Sequence, residues 1–299
     1  MKKLISKEMQ NIIKLLRDVS AKTELSVEAQ RAAMKQMSSM AKLPKDVKYE
    51  AVNAGGVFGE WISVPESSQE YVILDLHGGY YIVGEMFIER VFASILARAS
   101  KCRVLVIDYR LAPENPFPAA LEDAVKAYKW LINEEGINPQ NIIIAGTSAG
   151  GGLTLACLLK LRDNMDPLPA AAVSLCPYGD LTLSGNTYKT NADLDWISYE
   201  ASKFNTPLYC GEEDPKNPYV SPIFGDFNKL PPLFIQVGSH EVLYDDAIRL
   251  GERAKAAGVD VMVDVWEGMF HGFQMFYDFG PEAKAAIKRM SEFTDKFFK

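Results

Sequence analysis

One stretch limits what this chain can become. The apolar run Ile142-Ile143-Ile144-Ala145 stops at Gly146-Thr147-Ser148-Ala149-Gly150-Gly151, and the helix-forming Leu153-Thr154-Leu155-Ala156-Cys157-Leu158-Leu159 follows at once. That order predicts a strand, a sharp turn and a helix. A turn this tight puts Ser148 in a strained backbone conformation, and glycines on either side of it leave no Cβ to clash with the adjacent strand or helix. The hydroxyl is thereby lifted clear of the sheet at a helix N-terminus. There the dipole favours developing negative charge, and the Ala149 N–H is aimed where an oxyanion would form. The competing reading is a glycine-rich turn with an incidental serine; the strand before and the helix after count against it.

The rest of the chain alternates around this element. From residue 47 the hydrophobic period is two, and residues 47–52 and 57–64 about Gly55-Gly56 read as a hairpin. Apolar strands are then predicted at 71–76, 103–108, 141–145, 170–176, 233–237 and 259–265, with amphipathic helices at 86–100, 119–134, 148–161, 247–257 and 282–298. Continuous apolar strands separated by helices imply an α/β fold. Its central sheet is mostly parallel, of about eight strands, covered by helices on both faces.

Two regions depart from this alternation. Residues 4–19 carry apolar side chains at helical spacing, and a second helix is predicted after Ser26 as N-cap, with Met34, Met37 and Met40 along one side. Between 183 and 222 the pattern lapses into a mixed stretch containing Trp196, Ile197, Phe204 and Tyr209. That is long for a structureless loop, so an inserted helical element is expected. We read 45–182 with 218–299 as the catalytic core, and 1–44 with 183–217 as a helical cap over the site.

Composition narrows the partners. With 299 residues and 48% hydrophobic content the chain can bury a large core, and its net charge of −7 argues against nucleic acid, which needs clustered Lys and Arg. Cys102, Cys157, Cys176 and Cys210 are scattered without a C-x-x-C pair, as in a reduced, cytoplasmic protein. Lys7, Glu8 and Lys14 interrupt what would have to be a signal core, and no run approaches the ~18 apolar residues of a membrane span. The histidines and cysteines form no ligand-spaced metal cluster, and no cofactor is implied.

A serine nucleophile needs a base and an acid that orients the base. Only three histidines are present. His271 follows the last predicted strand, at the sheet edge that carries Ser148; a structural histidine is its competing reading. Three carboxylates follow the 233–237 strand: Glu241, Asp245 and Asp246. Glu241 falls in the strand-end loop, whereas the two aspartates fall where the next helix begins and suit its dipole. Glu241 is therefore preferred. The chain order Ser148, Glu241, His271 is that of α/β-hydrolases rather than of trypsin-like or subtilisin-like proteases. After the 71–76 strand come His77-Gly78-Gly79-Tyr80-Tyr81, where Gly78 and Gly79 would join Ala149 as oxyanion donors and His77 would brace the loop.

With these segments placed, the chain resembles the hormone-sensitive-lipase family of α/β-hydrolases, in its bacterial and archaeal esterase branch. Asp108-Tyr109-Arg110-Leu111-Ala112-Pro113-Glu114 with Pro116-Phe117-Pro118-Ala119-Ala120 is a second hallmark, and Gly146 to Gly151 resembles the G-T-S-A-G-G subgroup. The resemblance implies an α/β-hydrolase fold with a helical cap, Glu241 as the acid, and hydrolysis of short- to medium-chain carboxylic esters; it also allows a homodimer. A lactonase with the same residues is the nearest alternative, and a receptor that has lost catalysis a more distant one. The family's usual third glycine is Tyr80 here, so Tyr80 and Tyr81 are candidates for the substrate pocket. Asp108, Arg110 and Glu114 are expected to form an ion network steadying their loop.

Overall fold

The computed structural model describes residues 5–298. Met1, Lys2, Lys3, Leu4 and Lys299, and the side chain of Met40, lie outside the described part. Two helices lead, α1 (Lys7–Ser20) and α2 (Val27–Met40). Each is capped by a serine, Ser6 accepting from Met9 N–H and Ser26 from Ala29 N–H, which satisfies a donor that the first turn leaves unpaired. The hairpin follows as β1 (Lys48–Ala54) and β2 (Val57–Ser63), paired so that Ala54 faces Val57 across the Gly55-Gly56 turn.

Alternation then sets in: β3 (Val72–Leu76), α3 (Met86–Ser100), β4 (Arg103–Ile107), α4 (Ala119–Asn133), β5 (Ile142–Thr147), α5 (Ala149–Asp163) and β6 (Ala171–Leu175). The inserted stretch holds α6 (Thr187–Thr190) and α7 (Tyr199–Cys210) before β7 (Leu233–Gly238), α8 (Tyr244–Ala256), β8 (Val261–Trp266) and α9 (Pro281–Thr294). The eight strands run in the order β1-β2-β4-β3-β5-β6-β7-β8. Only β2 with β1 and with β4 pair antiparallel; the remaining pairs are parallel.

Period-two geometry divides the core. Strand β5 sends Ile142 and Ile144 to a face packed by α4, α5 and α8, and Ile143 and Ala145 to the face packed by α3 and α9. This is why its sequence is apolar without interruption. Strand order reverses between β3 and β5, whose neighbours β4 and β6 lie on opposite sides. A crevice opens outside the carboxyl ends of parallel strands at such a point; the loops after β3 and β5 emerge there, and those after β7 and β8 leave the same edge of the sheet.

Two expectations change in detail. Asp108, Arg110 and Glu114 form no common network: Arg110 pairs with Asp123 at 2.8 Å and Glu122 at 3.0 Å, both on α4, while Glu114 pairs with Arg31 of α2 at 2.7 Å. Helix α8 also starts earlier than its apolar residues indicate. Asp245 and Asp246 lie in its first turn, but they bind more than the dipole: Asp245 Oδ2 accepts from Asn186 N–H at 2.7 Å and Thr187 N–H at 3.1 Å, and Asp246 Oδ2 from Asp180 N–H at 3.1 Å.

Candidate active site

Ser148 caps α5 with φ 59° and ψ −118°, a region that costs a non-glycine residue about 1–3 kcal/mol. Neighbouring backbone holds it there. Its N–H donates to Leu175 C=O at 2.8 Å, and its C=O accepts from Tyr178 N–H at 2.9 Å and Gly152 N–H at 3.0 Å. Close packing of α5 against β3 depends on Gly150, where a Cβ would stand 1.8 Å from the Leu76 carbonyl oxygen. Residues 142–147 and 149–159 are buried, whereas Ser148 itself is half-buried and so reachable.

The loop after β3 is laid against this turn. A Cβ on Gly78 would lie 3.3 Å from the Ser148 Cβ, so the two backbones are in contact. Gly79 has φ 115°, and a Cβ there would meet the Val83 carbonyl oxygen at 2.1 Å; no side chain is accommodated. His77 braces the loop, its Nδ1–H donating to Gly78 C=O at 2.7 Å and its ring stacked on Tyr109 with centroids 4.0 Å apart. Burial lowers His77 to about 4, which keeps the ring neutral for that bond. Ala149 is the first residue of α5, where helical geometry gives the N–H no partner within the helix.

Tyr80 and Tyr81 both take positive φ, 55° and 64°. Their fates differ. Tyr80 is half-buried and packs edge-on against Tyr178, centroids 5.8 Å apart. Tyr81 is 1% exposed and stacked on Tyr209 at 3.7 Å, a core residue that offers the crevice no surface.

His271 and Glu241 meet. His271 Nδ1 lies 2.9 Å from Glu241 Oε2, and Glu241 Oε1 accepts from Gly238 N–H at 2.6 Å. Burial pushes Glu241 well up, opposed by the Gly238 N–H, and pushes His271 down to about 4, opposed by the negative charge of Asp195. A neutral imidazole is the form a general base needs at rest. Cys176, at the end of β6, ties this pair to the serine turn. Its sulfur is in hydrogen-bonding reach of the Gly272 and Ser148 N–H groups, and lies within 4.8 Å of the nearest donor atoms of Glu241 and His271. Burial and the neighbouring Glu241 hold the thiol well above its usual range, so it stays protonated.

Sequence reasoning passed over three residues of the insertion that grip these loops. Asn191 Nδ2 donates to the carbonyls of Ser239 at 3.0 Å and Glu241 at 2.8 Å; Asp195 accepts from the His271 and Val242 N–H groups; Trp196 Nε1 donates to His271 C=O at 2.7 Å. Nothing in their spacing signals this, because each contact is to backbone far along the chain.

Comparison with known proteins places the fold and the family. A family model described as the alpha/beta hydrolase fold matches residues 73–275. The chain is 34% identical over 286 residues to an esterase of Acinetobacter venetianus, covering 95% of this chain and 94% of the relative. It is 41% identical over 240 residues to an acetyl-hydrolase of Streptomyces hygroscopicus, 80% of each chain. A crystal structure described as an esterase from the bacterial hormone-sensitive lipase family superposes with a TM-score of 0.95 at 43% identity, covering 100% of both chains. The chain therefore belongs to the α/β-hydrolases, and within them to the bacterial hormone-sensitive-lipase family of carboxylic-ester hydrolases.

Proposed function

We propose that the protein is a serine carboxylesterase of short- to medium-chain esters, working through an acyl-enzyme with Ser148 as nucleophile, His271 as base and Glu241 as orienting acid. The observation that carries this reading is the His271–Glu241 hydrogen bond of 2.9 Å at the strand ends beside the strained Ser148 turn. His271 Nε2 takes the Ser148 proton as Oγ attacks the ester carbonyl. The N–H groups of Gly78, Gly79 and Ala149 receive the negative oxygen, and the imidazolium returns its proton to the leaving alcohol. Water, activated by the same imidazole, then releases the acid and frees Ser148.

Residues 1–44 and 183–217 serve as a cap over the crevice in this reading. It is supported by the reciprocal Gln30–Asn205 amide hydrogen bonds of 3.1 and 2.9 Å, which join the two segments, and by the contacts of Asn191 and Trp196 to the site loops. Tyr80 stands at the crevice as a limit on the length of the acyl or alcohol group. All four cysteines are buried and free, which fits action in the cytoplasm. Among the described residues no helix is long and apolar enough to cross a membrane.

The test is hydrolysis of p-nitrophenyl esters from acetate to palmitate by the wild type and Ser148→Ala. The short chains are turned over and the variant loses at least about 10⁴-fold in kcat. A variant that keeps wild-type turnover overturns the assignment of the nucleophile.

A further inference from the structure

Asp195 belongs to the inserted segment, has no part in the steps above, and yet is 3% exposed beneath them. Its Oδ1 accepts from the backbone N–H groups of Trp196 at 2.9 Å and His271 at 3.0 Å, and its Oδ2 from that of Val242 at 2.9 Å. Val242 directly follows Glu241. One carboxylate thus holds the loop of the acid and the loop of the base together. A segment that only covered the crevice would have no reason to send a buried acid under it, since such a group is costly unless N–H donors surround it.

We propose that Asp195 is a positioning residue for ester hydrolysis: the insertion must be seated for Glu241 and His271 to align, and the Asp195 carboxylate stabilises the imidazolium formed when His271 takes the Ser148 proton. The proposal rests on the triad assigned above. Preorganised charge facing a developing charge is effective because it needs no rearrangement during the reaction. The titratable groups that face Asp195 are His271, Glu241, Tyr80 from the loop after β3, and Cys176 at the end of β6. Burial raises Asp195 to about 6, with the His271 charge opposing. Its carboxylate is present at pH 8 and is lost as the pH falls through that value, while His271 stays neutral until about 4.

The experiment compares kcat and KM of the full-length wild type with Asp195→Asn, Asp195→Ser and Trp196→Phe on p-nitrophenyl acetate from pH 5 to 8. Both Asp195 variants are expected to lose about 10–100-fold in kcat at pH 8, with KM changed less than about twofold. The ratio of wild-type to variant kcat then shrinks as the pH drops through 6, because the wild type loses the same charge. Trp196→Phe, which loses the bond to His271 C=O but keeps the carboxylate, lowers kcat by one factor at every pH and so keeps the shape of the wild-type profile. Folded Asp195 variants with wild-type kcat, or with a loss that is constant from pH 5 to 8, overturn the proposal. Ser148→Ala and His271→Ala assayed alongside decide the triad separately: if both are inactive while Asp195→Asn is not impaired, the esterase reading stands and Asp195 drops out of it.

Discussion

Glu241 Oε2 accepts the Nδ1 side of His271 at 2.9 Å, while Asp245 of the same segment binds Asn186 and Thr187 N–H instead. Carboxylates a few residues apart therefore have separable consequences. Glu241→Gln should lower kcat by about 10³–10⁴-fold with little change in KM, since the amide cannot hold the imidazole in the right tautomer. Asp245→Ala should leave kcat within about twofold and cost roughly 1 kcal/mol of stability, because the buried Thr187 N–H loses its acceptor while that of exposed Asn186 turns to water. Steady-state kinetics and urea unfolding of the two variants check this.

The acid side of the pH profile follows from His271. Burial depresses its imidazole to about 4 from an ordinary 6.5, so the base is neutral above that value and is lost as the pH falls through it. Complete loss of kcat/KM on the acid side is expected well below the ordinary imidazole range. A single limb centred at 6.5 in a stopped assay would contradict it.

Asp75 of β3 is 2% exposed, and its Oδ2 has no hydrogen-bond partner. Burial raises it to about 7 from 3.8, so the folded protein holds a proton that the unfolded chain has released. Stability contributed by this group is full below about pH 4, declines as the pH rises, and is gone above about 7. Asp75→Asn removes the dependence. Its advantage over the wild type should grow between pH 4 and 7 to about 1–3 kcal/mol, as read by urea unfolding at a series of pH values.

Tyr80 occupies the place of a third glycine and presses its ring on Tyr178. Tyr80→Gly should open the crevice and relieve the positive φ of 55°. The ratio of kcat/KM for hexanoate to that for acetate is expected to rise by about tenfold, in line with the value of a methylene or two in an apolar pocket. An unchanged chain-length profile would place the acyl group elsewhere.

Much of this was legible in the sequence because local rules carried it. The uninterrupted Ile142-Ile143-Ile144 run can only suit a strand covered on both faces, and the glycines about Ser148 answer contacts as short as the Gly150–Leu76 approach. Glu241 and His271 were readable because strand ends bring them to one edge whatever lies between. The insertion was not. Asn191, Asp195 and Trp196 act through backbone groups about 50 to 75 residues away, and a contact to backbone leaves no pattern of residue types to read. Tyr81 misled for a related reason: adjacent residues with the same unusual φ end at different depths, Tyr80 half-buried and Tyr81 in the core.

The most direct measurement of the central claim is intact-protein and peptide mass spectrometry after exposure to diethyl p-nitrophenyl phosphate, which phosphorylates an activated serine. One diethylphosphoryl group should appear on Ser148, in step with loss of esterase activity, and should be absent from Ser148→Ala and strongly slowed in His271→Ala. Labelling at another residue, or inactivation of the wild type with Ser148 unmodified, would contradict the assignment of Ser148 as the nucleophile.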